Sequence, residues 1–237
     1  MKHVLWGAAL VALSTVAHAG TVFSTDFEGP LPAVLSPGVA QVVEVQGFAG
    51  LGPAGYQFGG SFLRSPTGNV VTLTLDNLPD HQAISVGFLL AAIDSLDGTG
   101  SFPQGDFLTI TLDGVQVFRE SFANALPTQI QSYMPPPGGE LARHVDLGFN
   151  GPGSYYTDSA YNFAIEPRLQ NLAHTASSAV FTFQMEGPGI QSLDDESWAM
   201  DGLTVSVSAV PEPSAGALAL LGLAGLGVWT ARGQRRR

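Results

Sequence analysis

Residues 107–118, FLTITLDGVQVF, decide the fold class of this sequence. Apolar residues alternate with threonine through 107–112, so that one residue in two would face the same side of a strand. Asp113-Gly114 follows, and this pair is a strong signal for a two-residue turn between antiparallel strands. The chain then returns through a second alternating run at 115–118. The stretch therefore predicts a β-hairpin.

Similar short runs recur on both sides of this hairpin, separated by glycine, proline, asparagine and aspartate. Helical periodicity is nearly absent. Roughly nine strands with turns between them describe an all-β protein, and we predict an antiparallel two-sheet β-sandwich of jelly-roll type. Long loops at 124–139 and 150–158 are expected to run over its surface. The clearest further strands are 70–75, 83–93, 179–185 and 203–207, and weaker candidates are 21–27, 41–45, 61–64 and 145–149.

Residues 1–19 have the features of a secretory signal peptide. A charged start precedes an apolar stretch at 4–16, and Ala17-His18-Ala19 supplies the small residues of a cleavage site. We predict cleavage between Ala19 and Gly20. The mature β-sandwich domain would then span 20–209 and lie outside the cytoplasm, and this length suits one domain.

Residues 215–229 form an uncharged run of alanine, glycine, leucine, valine and tryptophan. As a helix, the run would be about 22 Å long at about 1.5 Å per residue. That is short for a hydrocarbon core of about 30 Å, but it suffices for a span with little tilt. Arg232 and the final residues Arg235, Arg236 and Arg237 would stay on the cytoplasmic side. We predict a transmembrane helix in the precursor.

A proline motif, Val210-Pro211-Glu212-Pro213, stands immediately before this run. The order of proline motif, apolar helix and arginine-rich tail over 210–237 resembles the PEP-CTERM sorting signal of Gram-negative bacteria. The resemblance implies that an exosortase, a membrane transpeptidase-like cysteine protease, recognises the precursor and cleaves it near the motif. It also implies an exported protein that is first anchored in the inner membrane. The protein would then reach the cell surface or the biofilm matrix of bacteria that make exopolysaccharide.

Charge limits the partners of the mature domain, and cysteine content limits how the domain can be stabilised. It has four arginines, no lysine and nineteen acidic residues, which give a formal charge of −15. Nucleic acids and other anionic polymers are poor partners for such a surface, whereas divalent cations and neutral sugars are compatible with it. The chain has no cysteine, so disulfides cannot stabilise the exported domain. At this length a hydrophobic core can suffice.

Acidic residues cluster at three points of the predicted domain. Calcium binds about six to eight oxygens, which carboxylates and loop carbonyls can supply. Clustered carboxylates repel one another unless a cation lies between them. A Ca²⁺ site is therefore one interpretation, and turn formation by aspartate and glycine is the other, since no EF-hand spacing is present. The candidate ligands are Asp26, Glu28, Asp94, Asp97, Asp106 and Asp201.

The opening D-F-E at 26–28 and the closing W-A-M-D-G-L-T-V at 198–205 resemble the terminal strands of certain jelly-roll modules. These are the MAM modules and related carbohydrate-binding sandwiches, in which the terminal strands lie side by side and nearby acidic residues bind calcium. The resemblance implies that Asp26 and Glu28 meet Asp201. This chain lacks the cysteines of the MAM family.

Sequence patterns of catalysis are absent from the chain. It contains no G-x-S-x-G, H-E-x-x-H, P-loop or dinucleotide fingerprint. Glu196 and Asp201 could be the paired carboxylates of a glycosidase, but their odd spacing places them on opposite faces of a regular strand. His81, His144 and His174 are expected at the surface or in hydrogen bonds. We predict a non-catalytic protein, and the alternatives are a carbohydrate-active hydrolase of sandwich fold and a ligand-free structural matrix component.

Binding of extracellular polysaccharide would require exposed aromatic side chains with polar neighbours. Trp198 is the one tryptophan of the mature domain, and because it begins a strand we expect it in the core. A loop region rich in glycine holds three of the five tyrosines of the chain. The candidate sugar platform is therefore formed by Tyr155, Tyr156 and Tyr161.

Overall fold

The computed structural model describes residues 19–99, 105–124, 126–149 and 156–209. The predicted signal peptide up to residue 18, the proline motif and the predicted transmembrane helix lie outside these ranges. The predicted cleavage site falls at the first two described residues, Ala19 and Gly20. Among the described residues, no helix is long and apolar enough to cross a membrane.

Thirteen β-strands run through the described ranges. Three single-turn 3-10 helices accompany them, at Gln46–Phe48, Phe163–Ile165 and Pro167–Leu169. In chain order the strands are β1 (Ala19–Thr25), β2 (Leu35–Ser36), β3 (Gln41–Glu44), β4 (Ser61–Pro66), β5 (Val70–Leu75), β6 (His81–Asp94), β7 (Asp106–Leu112), β8 (Val115–Phe122), β9 (Glu140–Val145), β10 (Asp158–Asn162), β11 (Leu172–Ala173), β12 (Ala179–Glu186) and β13 (Glu196–Ala209).

The strands form two antiparallel sheets, which confirms the predicted β-sandwich. The larger sheet has the hydrogen-bonded order β3-β4-β13-β6-β10-β9, and β1 also pairs with β13 and β11 with β6. The smaller sheet has the order β2-β5-β12-β7-β8. Successive strands β4, β5, β6 and β7 alternate between the sheets, so the chain crosses repeatedly from one layer to the other, as in the predicted jelly roll.

The hairpin at 107–118 forms as its sequence predicts. Strands β7 and β8 pair with Leu112 opposite Val115. Between them, Asp113 and Gly114 have φ angles of 50° and 78°. Positive values at both central residues are the requirement of a type I′ turn, whose twist matches that of the flanking strands.

The main core lies between the two sheets. The alternating strand β12 points Phe181, Phe183 and Met185 into it, and all three are 0 % exposed. Phe183 meets Phe88 of β6 edge-to-face, with ring centroids 5.5 Å apart. Trp198 is completely buried in the same core, where the sequence predicts it. Each large apolar side chain buried in this way contributes about 1.5 to 3 kcal/mol, so the core can stabilise the fold without disulfides.

A second, smaller apolar cluster covers the outer face of the larger sheet. Leu89, Ala91 and Ile93 of β6 point to this face and are fully buried. Phe48 and Phe58, from the segment between β3 and β4, cover them. Because both faces of β6 are buried, its sequence is almost continuously apolar instead of alternating.

Five strands depart from the sequence prediction, and two of them, β2 and β11, are two-residue strands that it did not include. β13 begins at Glu196, seven residues before the predicted start, because it pairs with β6 from Glu196 opposite Asp94. β10 has no counterpart in the prediction, since all five of its residues are buried and its sequence shows no alternation. The weak candidate at 145–149 is replaced by β9, which ends at Val145.

Candidate functional site

Asp26, Glu28 and Asp201 lie close together where β1 runs beside β13, as the resemblance to terminal jelly-roll strands implies. Asp201 is 1 % exposed, whereas Asp26 and Glu28 are exposed. Burial raises the pKa of the Asp201 carboxyl to about 6, and repulsion from Glu28 and Asp26 adds to the rise. The structure therefore places a buried acid next to two exposed ones.

Backbone amides of the segment before β4 hold two of these carboxylates. The N–H of Gly59 donates to Oδ2 of Asp201 at 2.8 Å. The N–H groups of Gly60 and Ser61 both donate to Oε1 of Glu28, the second at 2.9 Å. A Cβ atom at Gly59 would overlap Oε1 of Glu28, so the close approach of this carboxylate requires glycine.

Asp94 ends β6 in a separate acidic group. It is 1 % exposed and has a φ angle of 60°. The carboxylate of Asp158 accepts the N–H of Asp94 at 3.0 Å and that of Leu147 at 2.7 Å. Burial and then repulsion from Asp158 raise the pKa of Asp94 to about 7, and the guanidinium of Arg64 opposes the rise. Burial raises the pKa of Asp158 to about 6.

Asp97 and Asp106 meet in a third acidic group. The N–H of Asp97 donates to Oδ2 of Asp106 at 2.6 Å. Burial raises the pKa of Asp106 to about 7, and the neighbouring carboxylate of Glu196 adds to the rise. Glu196 is itself 0 % exposed and accepts the hydroxyl of Thr67 at 2.9 Å. Glu196 therefore belongs to this group and is separate from Asp201, as their odd spacing along the strand indicated.

The six predicted calcium ligands thus lie in three places. Within the described part of the chain, no three or more acidic or histidine side chains are arranged to hold a metal ion. Glu28 and Asp201 fit calcium by donor type, because carboxylates are its preferred ligands and an ion would relieve their repulsion. The other oxygens of an ion with about six to eight ligands would have to come from backbone carbonyls and water.

One of the three tyrosines predicted to form a sugar platform is inaccessible to a ligand. Tyr161 of β10 is 0 % exposed, and its hydroxyl donates to Oε1 of Gln131 at 3.1 Å. Its ring packs against Phe122 with centroids 5.4 Å apart. The prediction is therefore wrong for Tyr161, because β10 is buried on both faces and offers no side chain to solvent. Tyr156 is half-buried, and Tyr155 lies outside the described residues.

A pocket of about 310 Å³ adjoins the Asp26, Glu28 and Asp201 group. The half-buried ring of Tyr56 forms one wall, and its hydroxyl donates to the carbonyl of Gly202 at 2.7 Å. No sequence pattern points to Tyr56, which lies in a segment rich in glycine and proline that has no strand alternation. The pocket is lined by Ser24, Thr25, Asp26, Tyr56, Gly202 and Thr204.

A second pocket, also of about 310 Å³, lies beside the proline-rich loop. Arg168 forms ion pairs there with Glu166 at 2.7 Å and with Glu120 at 2.5 Å. Its guanidinium also lies over the ring of Phe118, 4.3 Å from the centroid. The polar groups of this pocket are thus occupied by one another, while Met134 at its rim is 85 % exposed.

Residues 209–237 match the family model of the PEP-CTERM protein-sorting motif. The match confirms the resemblance read from the sequence and includes Val210, Pro211, Glu212 and Pro213, which lie outside the described residues. The motif implies an exported precursor that is anchored in the membrane of a Gram-negative bacterium and processed by an exosortase. No curated protein sequence matches the chain.

Parts of larger solved structures are similar to the sandwich. The catalytic domain of Agl-KA shares 13% identity over 88% of this chain and 32% of its own, with a TM-score of 0.37. A family GH115 4-O-methyl-α-glucuronidase with specificity for decorated arabinogalactans shares 13% over 86% of this chain and 19% of its own, at 0.36. The catalytic domain of a GH87 α-1,3-glucanase in complex with nigerose shares 15% over 84% and 30%, at 0.34. The chain spans about a third or less of the length of these structures.

Proposed function

We propose that the protein is a non-catalytic component of the cell surface or biofilm matrix, whose β-sandwich binds extracellular polysaccharide and is stabilised by calcium. The observation that carries the proposal is the sorting motif at 209–237. It supports delivery outside the cell by an exosortase, in bacteria that surround themselves with polysaccharide. Processing of the precursor determines whether the mature protein is released into the matrix or retained at the surface.

The placement of the acidic residues supports a non-catalytic role. A glycosidase needs two carboxyl groups that flank a bond of the substrate. Asp106 and Glu196 are neighbours, but they are 4 % and 0 % exposed and accept hydrogen bonds from their own chain. On β13, Glu196 shares the face of Trp198, which packs in the main core, whereas Asp201 shares the face of Ala199, which packs in the outer cluster. The two carboxyl groups therefore lie on opposite faces of the sheet.

The proposed calcium ion binds at Asp26, Glu28 and Asp201. A bound ion would neutralise the repulsion that helps to raise the pKa of Asp201. It would also connect β13, through Asp201, to the segment that follows β1, through Glu28. Such a bond between the two terminal parts of the sandwich would stabilise a domain that has no disulfides.

Sorting is tested in the native host by changing the two parts of the signal separately. Replacement of Pro211, Glu212 and Pro213 by alanine should leave a larger form in the membrane, because the protease no longer recognises the motif. Deletion of Arg235, Arg236 and Arg237 should weaken the retention of the tail at the cytoplasmic side and also reduce processing. Glu186→Ala, on the exposed side of β12, is the control that should be processed normally. Normal processing of both signal variants, measured by mass spectrometry, would contradict the proposal.

A further inference from the structure

The ring and the hydroxyl groups of the pocket beside Tyr56 have no role in sorting or in the proposed calcium binding, which the pocket adjoins through Asp26. We propose that this pocket binds one residue of a neutral polysaccharide chain. The inference rests on the polysaccharide-binding function proposed above and adds the surface and the class of sugar. A volume of about 310 Å³ lies at the lower end of ligand pockets, which span about 300 to 1,000 Å³, and so suits a single sugar ring.

The ring of Tyr56 is fixed by the backbone of β13. Its hydroxyl donates to the carbonyl of Gly202 at 2.7 Å. Gly202 has a φ angle of 57°, and a Cβ atom there would lie 3.0 Å from Cε2 of the tyrosine ring. Glycine at the irregular part of β13 therefore allows the ring to lie directly against the strand. An aromatic wall that is rigid before binding loses little entropy when the apolar face of a sugar packs on it.

Hydroxyl groups also line the pocket. Ser24 of β1 is paired with Thr204 of β13, so their side chains lie on the same side of the sheet. Oγ1 of Thr25 accepts the N–H of Phe27 at 3.2 Å, and the hydroxyl of Thr204 donates to the carbonyl of Gly87 at 3.3 Å. Hydroxyls that both donate and accept, next to a fixed aromatic ring, match a sugar, which has hydroxyl edges and an apolar face.

Charge selects neutral sugars over acidic ones. Asp26 lines the pocket, and Glu28 and Asp201 lie close to it. No basic side chain is among the lining residues. In the calcium-free protein, a uronate or sulfate group would approach these carboxylates without a compensating cation, whereas the hydroxyls of a neutral sugar can donate to Asp26.

The second pocket is less suited to this role. It has the same volume, but the carboxylates of Glu120 and Glu166 are occupied by ion pairs with Arg168. Ser132 donates its hydroxyl to Glu120 at 2.5 Å. A sugar would have to break these pairs to gain hydrogen bonds of its own, so this pocket serves as the matched control.

The test is affinity electrophoresis of the processed protein, with EDTA present to keep calcium from the acidic group, in gels that contain laminarin or dextran as neutral probes and alginate as the anionic probe. We expect at least one neutral polymer to retard the protein and alginate to leave it unretarded. Tyr56→Ala should weaken the apparent Kd for the neutral polymer at least tenfold. Ser24→Ala changes only an exposed hydroxyl and should weaken it severalfold without affecting the fold. Met134→Ala, at the second pocket, should bind as the unaltered protein does.

The outcomes separate failure of the assigned site from failure of polysaccharide binding. Retardation that survives both Tyr56→Ala and Ser24→Ala, or that is lost in Met134→Ala, would overturn the assigned site and leave polysaccharide binding in place. Retardation by alginate in preference to the neutral polymers would overturn the assigned sugar class. No retardation by any of the three polymers would overturn the site together with polysaccharide binding, while export by the sorting signal would stand. A thermal melt of each variant identifies loss of the fold.

Discussion

Nε2 of His81 lies 2.7 Å from Nδ1 of His174, and the two buried rings stack with centroids 5.0 Å apart. Nδ1 of His81 also lies 2.6 Å from the carbonyl of Pro79, and Nε2 of His174 lies 3.1 Å from Oδ2 of Asp113. The chain of hydrogen bonds thus connects β6 of the larger sheet to the β7–β8 turn of the smaller one. The histidines are hydrogen-bonded, as the sequence predicts, but they connect the two layers, which the sequence did not reveal.

Asp113→Ala should lower the free energy of unfolding by about 1 to 3 kcal/mol, the range for losing a hydrogen bond to a charged group and leaving its buried partner unsatisfied. The side chain of Asp113 accepts from His174 and also from the N–H of Val180 at 2.9 Å. Urea denaturation measures the change. Asp76→Ala, at an exposed residue directly after β5, is the control and should cost less. Equal losses in the two variants would show that the connection between the sheets contributes nothing.

Stability of the calcium-free protein should fall as the pH rises from about 4 to about 7. Burial raises the pKa of Asp94 and Asp106 to about 7 and that of Asp158 and Asp201 to about 6, whereas aspartate in an unfolded chain has a pKa of about 3.9. Between these values the folded state holds more protons than the unfolded state, so the free energy of unfolding decreases with rising pH. The contribution of these buried acids to the free energy of unfolding is complete near pH 4 and lost above pH 7.

Melting temperatures in EDTA at pH 4.5 and pH 7.5 measure this dependence. Asp94→Asn keeps a neutral side chain at every pH and should flatten part of the slope. Asp76→Asn, at an exposed residue directly after β5, should leave the slope as it is. A melting temperature that rises with pH over this interval would contradict the assignment of raised pKa values to the buried acids.

Removal of calcium with EDTA at pH 7.5 should lower the melting temperature, and added calcium should restore it. The reason is that an ion stabilises the charged form of Asp201, which burial disfavours. Asp201→Asn should abolish the calcium effect, while Asp94→Asn, in the separate acidic group, should preserve it. A melt that is unchanged by EDTA would remove calcium from the proposed function.

Local signals in the sequence predict the fold well. The turn at Asp113-Gly114 requires two positive φ angles, and this residue pair is typical of such a turn. The strands that flank it alternate regularly. The meeting of Asp26 and Glu28 with Asp201 could be anticipated from a resemblance, because the terminal strands of such sandwiches pair. The proline motif and its tail are likewise recognisable without any tertiary structure.

Long-range burial accounts for what the sequence does not reveal. Phe48 and Phe58 belong to a segment without periodicity, and only the folded chain brings them over Leu89 on the outer face of β6. The same burial on both faces removes the alternation from β10, so the sequence around Tyr161 does not reveal that this side chain is buried. Tyr56 has no local sequence signal, because its place in the pocket wall depends on a contact with Gly202, more than a hundred residues away.

The processed protein should release no reducing ends from laminarin or dextran, even where one of these polymers binds. Catalysis by Asp106 and Glu196 would require a glycosidic bond to reach carboxyl groups that are almost completely buried. Repulsion from Glu196 helps to raise the pKa of Asp106, so Glu196→Gln should lower that pKa and change stability without changing sugar release. Reducing ends that appear with the unaltered protein and vanish in Glu196→Gln would favour the hydrolase alternative, because a merely structural carboxylate has no turnover to lose.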